Sequence, residues 1–373
     1  MQSQIPFINI LPAHIVTVAM RIYSLRLCLI ITLIGSMLFA GCQKKSSRGG
    51  RGRENPFKVT SDDLLSAAAV DEKQAWLIGS FGNILHTADG GQTWQKQDSK
   101  GEEQLCEVNF VDDQNGWIVG SNGTILHTGD GGKNWKLQLT PAKRLLLNVD
   151  FTDTLHGCVV GEQGTLWVTK DGGNTWEDHS IEYGPVLNGV SFVDPSTGWV
   201  VGDYGTILHT SDGGTTWNEQ KCQDIVPVIR PDEWERPLPM LFDIFFMNKD
   251  RGWIAGIDGI ILYTENGGNL WSKVETNTTG RVYSITVQGT RGWAVGGKGT
   301  YLFSLDSGLS WKLSTKSIKT RKWLREVSFV GEMSGWVVGA TGTILKTTDG
   351  GEHWNMLSGL SYEAMVMKKS ISQ

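Results

Sequence analysis

The sequence predicts an all-β protein, a seven-bladed β-propeller, and three observations carry that prediction. One block, typified by Gly116-Trp-Ile-Val-Gly-Ser-Asn-Gly-Thr-Ile-Leu-His-Thr-Gly-Asp-Gly-Gly-Lys-Asn-Trp135, occurs seven times. It closes on Trp94, Trp135, Trp176, Trp217, Trp271, Trp311 and Trp354, and 18 positions upstream of each stands Trp76, Trp117, Cys158, Trp199, Trp253, Trp293 or Trp336. With the apolar run that precedes each block, one unit holds four short strands in about 41 residues, the size of a propeller blade.

The strands of a unit follow in order from its residues. An inner run comes first, as in Leu146-Leu-Asn-Val-Asp-Phe151 or Arg325-Glu-Val-Ser-Phe329. A β-rich run (Trp117-Ile-Val) then meets a Gly-x-x-Gly turn, a second run follows (Thr124-Ile-Leu-His-Thr), and an Asp-Gly-Gly turn leads into a strand opened by tryptophan. Each block is therefore two consecutive hairpins. Its turn glycines, such as Gly79 and Gly82, supply positive φ or close backbone approach. Strands alternate direction, so the Asp-Gly-Gly turns share one face of the ring, and the Gly-x-x-Gly turns share the other with the connections between units. At the ends of the chain, Pro56-Phe-Lys-Val-Thr60 aligns with the outer strand after each box, as does Trp354-Asn-Met-Leu357, so the closing strand stays open.

The motif Thr-x-Asp-x-Gly-x-Thr-Trp reads as the Asp-box, or BNR repeat. Its acids are Asp89, Asp130, Asp171, Asp212, Asp306 and Asp349, with Asn266 in unit five. An aspartate in such a turn accepts hydrogen bonds from its own backbone, and the tryptophan packs beneath it. A sevenfold-repeated carboxylate is thus structural rather than catalytic. The same reasoning applies to His86, His127 and His209, one to a unit. Radially separated blades cannot bring them to one metal ion, and Trp167, Tyr263, Phe303 and Lys346 fill the same slot elsewhere. No metal or cofactor is expected.

Composition agrees: 47 glycines and 16 tryptophans with a net charge of −5 suit turns and aromatic packing, and argue against nucleic acid as a partner. Cys106, Cys158 and Cys222 are an odd set beyond residue 42, and the first two read as small buried hydrophobes.

The start of the chain reads as a bacterial lipoprotein signal over residues 1–41. Arg21 and Arg26 precede the apolar run Leu27 to Phe39, and Ala40-Gly41 precedes Cys42, the expected lipidation site. Met20 is a candidate true start. Without residues 1–41 the formal charge moves from −5 to −7, since Arg21 and Arg26 are lost and no acid is. Residues 42–55, with the run Lys44 to Arg53, form a flexible basic tether, and 56–373 the propeller. The expectation is a monomer anchored in the cell envelope by lipid, at the outer membrane or on the periplasmic face.

Repeats and lipoprotein start together resemble the Ycf48/HCF136 family of photosystem II assembly factors, over roughly residues 54–373. The resemblance implies a seven-bladed, non-enzymatic scaffold that binds a protein partner, such as a membrane protein or membrane complex. It also implies an arginine patch for that partner, matched here by Arg281 in Thr279-Gly280-Arg281-Val282. The competing reading is a glycoside hydrolase or carbohydrate-binding propeller, for which Asp203 and Asp258 are the carboxylates to nominate.

Of the 16 tryptophans, 13 are repeat positions, Trp167 lies in a repeat strand, and only Trp234 and Trp323 remain. Trp234 lies in the Pro-rich insertion Lys221 to Met240, and Trp323 follows Lys316, Lys319, Arg321 and Lys322. Tryptophan beside arginine on an acidic body has the composition of interface anchors. The expected partner-binding residues are therefore Arg230, Trp234, Arg236, Arg281, Arg321, Lys322 and Trp323, on the face that carries the connections.

Overall fold

The computed structural model of the protein describes residues 60–225 and 238–357. The signal segment, Cys42, the tether, residues 56–59 of the closing-strand candidate and the site candidates Arg230, Trp234 and Arg236 lie outside the described residues. Within them, 28 strands form seven four-stranded antiparallel sheets, each built from one uninterrupted stretch of chain. Blade 1 is β1 (Leu64–Ala69), β2 (Ala75–Gly79), β3 (Ile84–Thr87) and β4 (Gln95–Gln97), and the other six repeat this order. No helix among the described residues is long and apolar enough to cross a membrane.

The first strand of every blade packs against the first strands of both neighbours, so these seven strands line the axis. A closed circuit of side-chain acceptors joins them. Ser66 Oγ accepts the Val108 N–H (3.2 Å), Asn109 Oδ1 that of Phe151 (3.2 Å) and Asp150 Oδ2 that of Phe192 (2.6 Å). Ser191 takes Phe246 (3.1 Å), Asp243 takes Ile285 (2.8 Å), Ser284 takes Val327 (3.2 Å), and Ser328 returns to Ala69 (3.2 Å). These polar residues are placed by the period-2 alternation of the inner strands, whose other side chains face the sheets' packing surfaces.

The apolar core is divided into seven clusters, one in each gap between blades. The upstream tryptophan of each unit is the key piece. Trp117 stacks on Phe151 of the next blade at 3.6 Å between centroids, and Trp199 on Phe246 at 3.5 Å. Their indole N–H groups donate to the next box, at Gly172 O (3.3 Å) and Gly267 O (3.1 Å). Cys158 takes this position in blade 3 and is fully buried. An aromatic of this size contributes both burial and ring geometry, which explains its recurrence.

Each box closes on itself. Asp89 Oδ1 accepts the Thr87 hydroxyl (2.9 Å) and the Thr93 N–H (2.8 Å), while Oδ2 accepts the Thr93 hydroxyl. Burial opposes ionisation of Asp89, but these bonds outweigh it and hold the carboxyl below its ordinary value. The box packs against the turn between the first two strands (Gly90 N to Lys73 O, 2.9 Å), and the Gly-x-x-Gly turn against the connection to the next blade (Gly82 N to Glu103 O, 2.9 Å). The two faces are therefore divided as the alternation of strands requires.

Among the described residues, ring closure involves no exchange of strands. Blade 7 ends on its own outer strand, Asn355–Met356, which pairs with Thr343–Thr347. Across the seam Gly342 N donates to Asp62 O (2.8 Å) and Thr341 N to Asp63 Oδ1 (2.7 Å). Lys346 places its ammonium 4.4 Å from the Trp336 ring centroid and donates to Glu72 O (2.9 Å) and Gly90 O (3.1 Å) of blade 1. That ammonium is the reason a lysine can fill the slot that holds histidine in three other blades.

Candidate partner-binding site

Blade 6 consists of Val282–Gln288, Arg291–Gly296, Tyr301–Ser304 and Lys312–Leu313. Its Gly-x-x-Gly turn, Gly296 to Gly299, lies between two connections. Gly297 N donates to Arg281 O at 2.9 Å on one side. On the other, Gly299 has φ +76 and runs so close to the Thr320 carbonyl that a methyl group would collide with it. The turn thus brings Arg281, Lys298 and the segment Lys319 to Lys322 together. Lys298 occupies the turn's left-handed residue, φ 57, which directs it away from the sheet. Arg281, Lys298, Lys319, Arg321 and Lys322 are all exposed, and none makes an ion pair among the described residues.

Toward the axis this basic wedge meets an aromatic group. Every inner strand carries a bulge after its first residue, which turns one extra side chain to the opening on the connection face. In blades 5, 6 and 7 the extra residues are Phe242, Tyr283 and Arg325. Phe242 and Tyr283 have centroids 5.3 Å apart, and the Arg325 guanidinium lies 5.6 Å from the Tyr283 ring and donates to Tyr283 O at 3.4 Å. Trp323, beside them in sequence, is half-buried, and its carbonyl accepts the Ala340 N–H at 3.1 Å.

Behind Arg325 stand three carboxyls on the inner strands, Glu107, Asp243 and Glu326. Burial pushes all three up, and the neighbouring acids push Glu107 and Glu326 further; Ser66 on Glu107, Ser284 on Glu326 and the charge of Arg325 oppose the rise. The site is a cationic surface backed by acids whose ionisation is opposed by burial and by one another.

Of the sequence candidates, Arg281, Arg321, Lys322 and Trp323 are brought to one sector of the connection face. Lys298, Tyr283, Phe242 and Arg325 were missed as site residues. The inner-strand run before each repeat breaks strict alternation at its start, the one sequence signal that marks the bulge. The carboxylates nominated for hydrolysis are not equivalent. Asp203 is the first turn residue of blade 4 and accepts from Asn188 Nδ2 at 3.1 Å, whereas Asp258 is the left-handed residue of the blade 5 turn. His86 and His127 stack on their own blades' tryptophans at 4.5 and 4.7 Å, His209 lies tilted against Trp199 at 5.0 Å, and burial lowers each imidazole's pKa.

Repeat, blade and box together define the chain as a seven-bladed Asp-box propeller. It belongs to the family described as "Photosynthesis system II assembly factor YCF48", which matches residues 53–145, 135–227 and 180–291. Curated relatives include the chloroplastic photosystem II stability/assembly factor HCF136 of Oryza sativa subsp. japonica, 31% identical over 116 residues, and that of Arabidopsis thaliana, 32% identical over 93 residues. Those matches span 27% and 21% of this chain and only 28% and 23% of the relatives' own lengths. Among solved structures, one described as YCF48 bound to D1 peptide superposes with TM-score 0.63 at 22% identity, over 80% of this chain and 98% of the other. YCF48 from Cyanidioschyzon merolae gives 0.60 at 22% identity, over 78% and 96%. A glycoside hydrolase of the GH74 class from Niastella koreensis gives 0.60 at 14% identity, over 79% and 54%. At these identities the superpositions speak for the fold alone.

Proposed function

We propose that the protein is a non-enzymatic scaffold that holds an acidic peptide segment of a membrane-protein subunit on its connection face while a membrane complex is assembled. The observation that carries this reading is the group of five cations around the blade 6 turn, none paired among the described residues, on a chain whose net charge is −5. Arg281, Lys298, Arg321 and Lys322 attract carboxylates of the segment, and Arg325 with Tyr283 and Phe242 receives a side chain at the axis. Family membership supports the role in assembly, and the peptide named with the related YCF48 structure supports the kind of partner. Trp323 extends the same surface, and Arg230, Trp234 and Arg236 of the insertion, which lie outside the described residues, are proposed as further contacts of the partner. Cys42 acylation holds the scaffold at the envelope membrane where such a partner is inserted.

The test is affinity capture from detergent-solubilised membranes, comparing the natural protein with Arg281→Glu/Arg321→Glu/Lys322→Glu and with Trp234→Ala/Trp323→Ala. Charge reversal is expected to weaken capture by at least about tenfold, more so at low salt, with an unchanged Tm. Undiminished capture overturns the site, and hydrolysis of β-glucan or sialoside by the purified protein overturns the non-enzymatic reading. Cys42→Ser is expected to release the protein into the soluble envelope fraction.

A further inference from the structure

The residue three places after a box tryptophan has one backbone role in several blades. Its N–H donates to a carbonyl near the start of the third strand: Gln138 to Ile125 (2.9 Å), Gln220 to Ile207 (2.8 Å), Ser314 to Tyr301 (2.9 Å) and Leu357 to Ile344 (3.1 Å). In blades 1, 2, 4 and 7 its side chain crosses the gap to the next blade and lies on the last box glycine, whereas His179 of blade 3 and Val274 of blade 5 leave that glycine to Val168 with Trp217 and to Trp253. Gln97 covers Gly132, Gln138 covers Gly173, Gln220 covers Gly268, and across the seam Leu357 covers Gly91, each too close to admit a methyl group. The glutamines also donate to the next box, Gln138 to Gly172 O at 2.8 Å and Gln220 to Gly267 O at 2.9 Å.

Blade 6 has Ser314 at this position. Its hydroxyl turns into its own loop, 2.9 Å from Ser317 Oγ, and makes no hydrogen bond to blade 7 among the described residues. Contact with the last box glycine passes to Tyr301, which donates to Gly351 O at 3.0 Å from beneath. Outside Tyr301 the gap remains open as a groove of ≈ 420 Å³, with Trp293, Tyr301 and Phe303 along its base and Leu305 and Leu313 at its sides. Those leucines are 59% and 38% exposed. At one end is Lys316, exposed and without an ion pair among the described residues, and at the other Arg291, 3.8 Å from Glu352.

We propose that this groove receives a leucine-type side chain from an extended segment of a partner protein, with an acidic residue next to that leucine meeting Lys316. The chain supplies the template itself, because Leu357 fills the corresponding gap between blades 7 and 1. The outer strand beside the groove, Lys312–Leu313, is a sheet edge with no further strand among the described residues, along which an extended segment can lie. The groove shares no residue with the blade 6 wedge and is independent of the role proposed for it.

The test follows the Trp293 indole N–H, which is anchored on Gly350 O at 2.8 Å beside the groove, by NMR during titration with acetyl-leucyl-aspartyl amide. A saturable shift is expected, with acetyl-glycyl-aspartyl amide binding about tenfold more weakly because no leucine is buried. Ser314→Gln, which fills the gap from within, is expected to abolish the shift, Lys316→Glu to weaken it, and Arg321→Glu to leave it intact. Leu305→Glu, at an exposed position, provides a second block should Ser314→Gln disturb its loop. Equal response to both peptides, or a shift that survives both blocking variants, overturns the proposal. So does self-association of the natural protein in sedimentation that Ser314→Gln abolishes, since the occupant would then be a second copy of the chain.

Discussion

At Asn266 the box shows which of its atoms matter. Its Oδ1 accepts the Thr264 hydroxyl (3.0 Å) and the Leu270 N–H (2.9 Å), as an aspartate's does elsewhere, while the hydroxyl that would bind the second oxygen is replaced by Leu270. The turn therefore needs one well-placed oxygen rather than a charge. Asp89→Ala, which removes three acceptor contacts, is expected to cost about 1–2 kcal/mol in urea denaturation, and Asp89→Asn less than half of that. The box aspartates were legible in the sequence because residue type and spacing alone fix their bonds. Lys298 was not, since the position it occupies holds Phe81, Asn122, Gln163, Tyr204, Asp258 and Thr341 in the other blades and becomes meaningful only once the neighbouring connections are placed.

The Gly-x-x-Gly turn is the element on which the connection face is built, and its second variable residue is left-handed in all seven blades, with φ between 53 and 58. Most side chains pay modestly for this, but a β-branched residue is crowded there. Thr341 in blade 7 is that case. Thr341→Asn is expected to raise stability by about 1 kcal/mol, measured as a shift in urea midpoint at constant m-value, provided the backbone N–H retains its bond to Asp63. Strand positions were legible from the invariant 18-residue spacing. The bulge in each inner strand was marked only by broken alternation at its start, and a strict period-2 reading assigns Tyr283 and Arg325, each the second residue of its strand, to the face opposite Ser284 and Glu326. Of the two claimants to the closing strand, Asn355–Met356 pairs within blade 7, while residues 56–59 lie outside the described residues.

For the whole ring, the acids near the axis set the response to pH. The folded carboxyls of Glu107, Asp243 and Glu326 are raised above their unfolded values, and Asp150, also desolvated, is raised to about 6. In the folded state these groups therefore hold protons that the unfolded chain has released. Their favourable contribution is complete below the ordinary carboxylate range and is lost as pH rises through the raised values. Box aspartates act in the opposite sense: Asp349, held down to about 2, stabilises above the ordinary range and ceases to do so as acid protonates it. Tm is accordingly expected to fall from pH 5 to pH 8. In Glu326→Gln, where no charge can form, the fall should be smaller; a natural protein whose Tm rises over this interval contradicts the assignment. Repeat number and blade order were fully legible in the chain, because each unit is self-contained. The gathering of Glu107, Asp243 and Glu326 was not, because blades 2, 5 and 7 meet only at the centre.

The seam has a consequence in time. Every blade is one contiguous stretch, so a chain emerging from the ribosome can complete blades 1 to 6 in succession, each offering its free side to the next. The opposite side of blade 1, with Leu64, Leu77 and Trp94, has no such successor and waits for Trp336, Val338 and Ile344 of the last blade. It is the longest-lived sticky surface of the nascent molecule, and the place where a chaperone would find the unfinished protein.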